Sequence, residues 1–158
     1  MKAIQIPLPD LAATEALAKR LAPLAQRGDV IALAGPLGAG KTAFARAFIR
    51  ALGVAGEVPS PTFTLLQTYE AKPCALYHFD LYRLKHANEL EELGWDDARS
   101  HGIILVEWPE RAGGRLPADR LALTFGMEAT GMKGNVRFCS IEASGGWAQR
   151  LAHFTEAA

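Results

Sequence analysis

Residues 35–42, with the sequence GPLGAGKT, constrain the fold of this 158-residue chain more than any other segment. They match the pattern G-x-x-x-x-G-K-[ST], in which a glycine-rich turn joins a strand to a helix. The preceding run DVIALAG has the continuous apolar character of a buried strand, and the following residues place apolar side chains at helical spacing. The pattern and its context together predict a phosphate-binding turn in an α/β protein.

We call residues 35–42 the glycine-rich loop, and its chemistry suits a nucleoside triphosphate. Converging backbone N–H groups and the positive end of the next helix favour a phosphate group. We expect Lys41 to reach the β- and γ-phosphates, Thr42 to ligate Mg²⁺, and a large side chain at Gly40 to block the approach. The plain alternative is a tight turn with a solvated lysine. The predicted nucleotide contacts in the loop are Gly35, Pro36, Leu37, Gly38, Ala39, Gly40, Lys41 and Thr42.

Two acidic residues end predicted strands and are candidates for metal binding and catalysis with Lys41. Glu107 follows four apolar residues, which is the Walker-B form, and Asp80 ends a more mixed strand. Either carboxylate can hold Mg²⁺ or orient the attacking water. For Asp80 the alternative is a cap on the following turn.

The hydroxyl-rich segment PSPTFT, residues 59–64, is a candidate for a loop that closes over the γ-phosphate, with Ser60, Thr62 and Thr64 as contacts. A rigid turn before a strand is the alternative. Trp108, beside Glu107, is either a site residue or an ordinary core aromatic. The four histidines have no metal-ligand spacing, so surface or core roles are expected for them.

Composition bounds the class of protein. The charges of seventeen basic and seventeen acidic residues cancel, so the chain has no net positive charge to attract RNA. Any role that involves RNA is therefore expected to be indirect, through a partner. The length predicts one domain over residues 1–158. Cys74 and Cys139 show no C-x-x-C pattern, and the chain has no apparent secretory leader or membrane span, which predicts reduced core thiols and a cytoplasmic protein.

Helices are predicted from Asp10, an N-cap, to about Gln26 with a disturbance at Pro23, and from Lys41 to a stop at Gly53. A short acidic helix and a final helix near Trp147 to Phe154 follow. Strands are predicted at 29–35, 62–69, 74–80, 102–107, 120–125 and 136–143. The strands at 62–69 and 74–80 are expected to pair as a hairpin, and a loop is predicted at 126–135.

The guanine-recognition string N-K-x-D and the string D-x-x-G are both missing from the sequence, which favours adenine as the base. In matching order from about Asp10 to Arg111, the strings GPLGAGKT, SPTF, YHFDLYRL, ELEELGW and VEWPER resemble the TsaE family, the small ATPases of tRNA threonylcarbamoyladenosine modification.

The resemblance implies an α/β, P-loop NTPase-like three-layer fold with a mixed, mainly parallel central sheet and antiparallel C-terminal strands. It also implies binding and hydrolysis of MgATP, and association with the TsaD and TsaB proteins that modify adenosine 37 of tRNAs reading codons that begin with A. Matching positions assign Thr42 and Glu107 to the metal, Asp80 to catalysis or water positioning with a place near the metal, residues 60–64 to a switch-like loop, and Trp108 to the family tryptophan.

The chain departs from the family pattern at Pro36, where an acidic residue is common, and in the string GMKGNVR, where Lys133 is a candidate nucleotide contact. Thr14 matches a family threonine near the adenine, with helix surface as the alternative. The resemblance leaves two rivals: a small-molecule kinase with a lid of Arg111, Arg115 and Arg120, and a scaffold that senses ATP without hydrolysing it.

Overall fold

The computed structural model describes residues 3–59, 64–129, 135–152 and 154. In that part of the chain the strands are β1 (Ala3–Pro7), β2 (Val30–Ala34), β3 (Leu66–Tyr69), β4 (Ala75–Asp80), β5 (Gly102–Glu107), β6 (Leu121–Ala129) and β7 (Asn135–Ala143). The α-helices are α1 (Leu11–Leu21), α2 (Lys41–Ala51), α3 (Glu89–Glu92), α4 (Trp95–His101) and α5 (Gly146–Arg150). Two 3₁₀ helices span Ala22–Leu24 and Pro109–Arg115.

The strands form one mixed sheet in the order β1-β7-β6-β2-β5-β4-β3. Its centre is parallel, because β2 pairs with both β5 and β6, and β4 pairs with β5, in the same direction. The pairs β3–β4, β6–β7 and β1–β7 are antiparallel. The predicted fold class is therefore confirmed, including the antiparallel C-terminal strands.

Helices cover both faces of the sheet, which gives three layers. On one face α1, α2 and α5 enclose the larger core, with side chains such as Phe44, Phe48 and Trp147 fully buried. On the other face α3 and α4 enclose a smaller core around Phe79 and Trp95. Burial on both faces explains why β2 and β5 are almost wholly apolar in sequence.

The helix α2 follows the predicted pattern. Phe44 and Phe48 point into the core, whereas Arg46 and Arg50 are exposed. A helix with one apolar face gains most of its stability from packing that face against the sheet. This packing fixes the first turn of α2, which carries Lys41 and Thr42, relative to the strands.

The helix α1 begins where predicted and ends earlier than predicted. The Asp10 carboxylate accepts a hydrogen bond from the N–H of Ala13 at 2.8 Å, which is an N-cap contact. The α-helix stops at Leu21 and not near Gln26, because Pro23 lacks an N–H and enforces a 3₁₀ turn. Pro23 was expected to disturb the last turn of the helix, and the α-helix instead ends two residues before it.

Other boundaries also differ from the sequence-based expectations. β3 starts at Leu66 because residues 64 and 65 form a turn, and Thr62 lies outside the described residues. β6 ends at Ala129 and β7 begins at Asn135, so residues 126–129 and 135 of the predicted loop at 126–135 belong to paired strands. The helix α4 was not predicted, and α5 ends at Arg150, four residues before the expected end.

Both cysteines are buried and free, in agreement with their predicted role as core thiols. Within the residues that the structure describes, no helix is both long and apolar enough to cross a membrane.

Candidate functional site

The candidate site is a cavity of about 320 Å³ at the carboxyl ends of the parallel strands, where the glycine-rich loop joins β2 to α2. In open α/β sheets this edge is the usual place for a ligand. Eight residues predicted from the sequence line it: Leu37, Gly38, Gly40, Lys41, Thr42, Asp80, Glu107 and Trp108. Ala43, Tyr82 and Arg137 line it as well.

The start of the glycine-rich loop lies directly against strand β6. Gly35 has φ +130°, and a Cβ atom built on it would lie 2.3 Å from the backbone oxygen of Phe125. No side chain fits between these two stretches of backbone, so residue 35 must be glycine for the loop to keep this position. The C-terminal hairpin is therefore part of the frame that holds the loop.

Lys41 is the central cation of the cavity, and it is buried. Its Nζ donates a hydrogen bond of 2.6 Å to the carbonyl of Gly35 and lies 3.5 Å from the centroid of the Trp108 ring. Burial lowers the pKa of the Lys41 ammonium, and the nearby carboxylates of Glu107, Glu110 and Asp80 act against that shift. An ammonium with little water around it is well placed to interact strongly with a phosphate.

Trp108 occupies a backbone conformation that residues other than glycine adopt rarely, with φ 57° and ψ 53°. The residue stands between the end of β5 and Pro109, where the chain turns sharply into a 3₁₀ helix. The turn brings the indole over Lys41 and 5.0 Å, between ring centroids, from the ring of Tyr82. Backbone strain of this kind costs about 1–3 kcal/mol and is concentrated at functional sites.

Glu107 is buried and forms a short contact with His78. The His78 Nε2 and the Glu107 Oε2 are 2.7 Å apart, and both side chains are almost fully enclosed. The two residues lie on adjacent parallel strands, where Asp80 pairs with Glu107 and His78 with Leu105. Because side chains alternate along a strand, His78, Asp80 and Glu107 all project from the face covered by α2.

Asp80 is also buried at the carboxyl end of β4, level with Glu107. Its Oδ1 accepts a hydrogen bond of 3.0 Å from the backbone N–H of Tyr82. Asp80 thus caps the following turn, which is the alternative role expected from the sequence, and it also lines the cavity. The two roles are compatible, since a carboxylate offers about four acceptor positions.

Comparisons with known proteins decide the family. A family model described as "Threonylcarbamoyl adenosine biosynthesis protein TsaE" matches residues 8–135. This chain belongs to the TsaE family. The resemblance drawn from the sequence strings is therefore confirmed, and the match also covers β6, which lies beyond those strings.

Individual TsaE proteins agree with this assignment. The chain is 43% identical over 129 residues to the tRNA threonylcarbamoyladenosine biosynthesis protein TsaE of Rickettsia conorii, covering 81% of this chain and 71% of the relative. It is 43% identical over 111 residues to the protein of the same name from Bacillus subtilis, covering 70% and 69%. The crystal structure of Bacillus subtilis YdiB superimposes with a TM-score of 0.76 at 30% identity, covering 99% of this chain and 95% of that chain.

Some site residues predicted from the TsaE resemblance lie away from the cavity or outside the described residues. Thr14 is buried on the inner face of α1, so it is not a helix-surface residue, and it does not line the cavity. Thr64 is exposed in the turn before β3, where its hydroxyl receives a hydrogen bond of 3.2 Å from Gln67. Ser60, Thr62 and Lys133 lie outside the described residues.

Sequence reasoning missed four residues of this TsaE site: Ala43, His78, Tyr82 and Arg137. His78 was assigned a core or surface role, although its place two residues before Asp80 in a strand puts both on one face. Tyr82 belongs to the same string, YHFDLYRL. Arg137 lines the cavity from β7, only four residues after Lys133, and the pairing of β7 with β6 brings it there.

Proposed function

We propose that this TsaE-family chain binds MgATP in the cavity, hydrolyses it, and serves the threonylcarbamoylation of adenosine 37 in tRNAs that read codons beginning with A. In this proposal the nucleotide acts as a switch on TsaD and TsaB. One observation carries the ATPase part: the buried Lys41 of a glycine-rich loop shares one cavity with two buried strand-end carboxylates, Asp80 and Glu107. That is the set of groups that phosphoryl transfer requires.

The fit of a triphosphate rests on the loop and on α2. This helix has eleven residues, and within the described residues no side chain caps its N-terminus. Its first N–H groups and Lys41 therefore suit an anionic ligand. The cavity volume of about 320 Å³ lies at the lower end of the range of small-molecule sites, roughly 300–1,000 Å³.

The fit of Mg²⁺ rests on oxygen donors beside the same loop. Among the described residues, no group of three or more His, Cys, Asp or Glu side chains is arranged to hold a metal ion by itself. Magnesium in nucleotide sites is held by one or two carboxylates together with phosphates and water. Thr42 with Glu107 or Asp80 fits that set, and Mg²⁺ bound there would neutralise charge on the phosphates.

The chain's own residues suggest how hydrolysis would proceed. Lys41 would exchange the Gly35 carbonyl for a phosphate oxygen, and Asp80 or Glu107 would orient the attacking water. Closure of residues 60–64 over the γ-phosphate stays a prediction, because residues 60–63 lie outside the described residues. An arginine supplied by a partner is worth about 10³- to 10⁵-fold in GTPases, so slow turnover alone and faster turnover with TsaD and TsaB are expected.

The rival function of a small-molecule kinase needs Arg111, Arg115 and Arg120 as a lid. Each instead donates a hydrogen bond away from the cavity: Arg111 to the carbonyl of Leu84, Arg115 to the Glu91 carboxylate and Arg120 to the carbonyl of Pro117. These contacts favour a structural role for the three arginines and so disfavour the kinase.

Calorimetry with ATP and Mg²⁺, followed by assay of phosphate release with and without TsaD and TsaB, tests the proposal. The expected result is saturable binding and release of free phosphate that the two partners accelerate. No binding to the purified protein would overturn the ATPase, and equal turnover with and without the partners would overturn the switch. Phosphate found on a metabolite would favour the kinase, and binding without any turnover would favour the scaffold.

A further inference from the structure

We propose that His78 is a positioning residue that holds the Glu107 carboxylate in the orientation needed to bind the magnesium ion or its water. The inference rests on the proposed MgATP function and adds a residue to it. His78 does not line the cavity, so it acts only through Glu107.

The geometry supports a fixed pair. The Nε2–Oε2 distance of 2.7 Å is that of a strong hydrogen bond, and the exposed fractions of the two side chains are 2% and 3%. Both residues belong to interior strands of the sheet, β4 and β5, which pair with each other in parallel and each have a second neighbouring strand. Neither side chain can move far without opening the core.

The direction of the hydrogen bond follows from the chemistry of the two groups. An ionised carboxylate can only accept, so the Nε2 atom must carry the proton. The buried Nδ1 of His78 has no hydrogen-bond partner among the described residues. The tautomer with its proton on Nε2 satisfies the contact with Glu107 and leaves a lone pair on Nδ1, which avoids an unpaired buried donor.

This contact has a consequence for the cavity. With Oε2 engaged by His78, the Oε1 atom of Glu107 is left for the metal or its water, and the carboxylate is held in one rotamer. Hydrogen bonds that orient metal-binding groups are typically worth about 10- to 100-fold in metal affinity or activity. Without His78, Glu107 would be a buried charge with several orientations open to it.

Two substitutions of similar size separate a positioning role from a packing role. The amide of glutamine reaches as far as the histidine Nε2, whereas the amide of asparagine reaches only as far as Nδ1. His78→Gln can therefore restore a donor to Glu107, and His78→Asn cannot. Both variants keep a polar side chain at this buried position, so they share the cost of burying an amide.

The experiment titrates Mg²⁺ into each variant in the presence of a non-hydrolysable ATP analogue, and measures binding of the analogue without metal as a second readout. We expect the half-saturating Mg²⁺ concentration to rise about 10-fold or more in His78→Asn and to stay within about 3-fold of the wild type in His78→Gln. Metal-free binding of the analogue should be unchanged in both. Equal Mg²⁺ dependence in the two variants, or an equal loss of metal-free binding, would overturn the inference.

A double-substitution cycle tests whether His78 acts through Glu107. In a Glu107→Gln background, His78→Asn should change the Mg²⁺ requirement by less than about 2-fold, because the group that it orients is gone. If His78→Asn raises the Mg²⁺ requirement as much in this background as it does in the wild type, the inference is overturned. If the wild type binds no MgATP, the proposed function fails and this inference fails with it. If the wild type binds MgATP and the His78 variants match it, only the inference fails.

Discussion

The Nζ of Lys41 lies 3.5 Å from the centroid of the Trp108 indole, and it donates to the carbonyl of Gly35 at the same time. A cation over an aromatic face is stabilised electrostatically, by up to about 2 kcal/mol where water is excluded. The ring of Tyr82 packs against the Trp108 indole, with 5.0 Å between the two centroids. An anion that engages Lys41 competes with these two contacts for the ammonium group.

The first prediction concerns the fluorescence of Trp108. Nucleotide binding should draw the ammonium away from the indole and change the emission of this tryptophan. The change should be absent in Trp108→Phe and retained in Trp147→Phe, because Trp147 is a buried residue of α5 and does not line the cavity. An emission change that persists in Trp108→Phe would contradict the expected movement of Lys41.

The second prediction concerns Lys41 itself. Lys41→Ala should abolish detectable ATP binding, because the loop loses its charge for the phosphates. It should leave the fold intact, since a buried and desolvated ammonium is removed. Calorimetry and circular dichroism measure the two effects. Lys19→Ala, an exposed lysine of α1, is the matched control. Normal ATP binding by Lys41→Ala would refute the role of this lysine.

The third prediction compares two glycines of the loop. Gly35→Ala forces a Cβ against the Phe125 backbone in addition to a strained φ, and should destabilise the fold by about 1–3 kcal/mol beyond Gly38→Ala. At Gly38, which has φ +78°, the new Cβ would meet nothing within 4 Å, so only the cost of the φ angle remains. Urea unfolding of both variants measures the difference. Equal loss of stability would mean that the loop can move away from β6.

The fourth prediction concerns alkaline pH. Burial raises the pKa of the Cys139 thiol from 9.0 to about 12. Between these values the unfolded chain releases this proton and the native state keeps it, so the free energy of unfolding should fall with rising pH, by about 1.4 kcal/mol per pH unit from this group. Well below pH 9 the group should contribute almost no slope.

Urea unfolding at pH 8.0, 9.5 and 10.5 tests this, with Cys139→Ala as the reference. The substitution leaves a small cavity and so lowers the free energy of unfolding at every pH. The test is therefore how that free energy changes with pH, and not its absolute value. The wild type should lose about 2 kcal/mol more than the variant between pH 8.0 and 10.5. Parallel pH profiles would show that Cys139 does not account for the alkaline loss.

The parts of the site that were predictable are those written in contiguous sequence. The glycine-rich loop, Lys41 and Thr42 follow from a local pattern, and Glu107 from the apolar run before it. The position of a residue at the end of a predicted strand indicates its place in the site directly, because a parallel sheet gathers the carboxyl ends of its strands at one edge. Eight of the cavity's lining residues were accordingly predicted.

The parts that were not predictable depend on the register between strands. His78 and Glu107 are 29 residues apart in sequence, and only the pairing of β4 with β5 brings them within 2.7 Å. Arg137 reaches the cavity because β6 and β7 form a longer hairpin than their glycine content suggested. Register of this kind arises from the packing of the whole sheet and has no local signature.

The close contact between Gly35 and the Phe125 backbone has a practical consequence for anyone shortening this protein. A fragment cut after Asp119 would keep every signature string from Asp10 to Arg111, yet it would lose the strand against which the loop rests. A gene trimmed to its recognisable motifs would thus encode the glycine-rich loop without the strand that supports it.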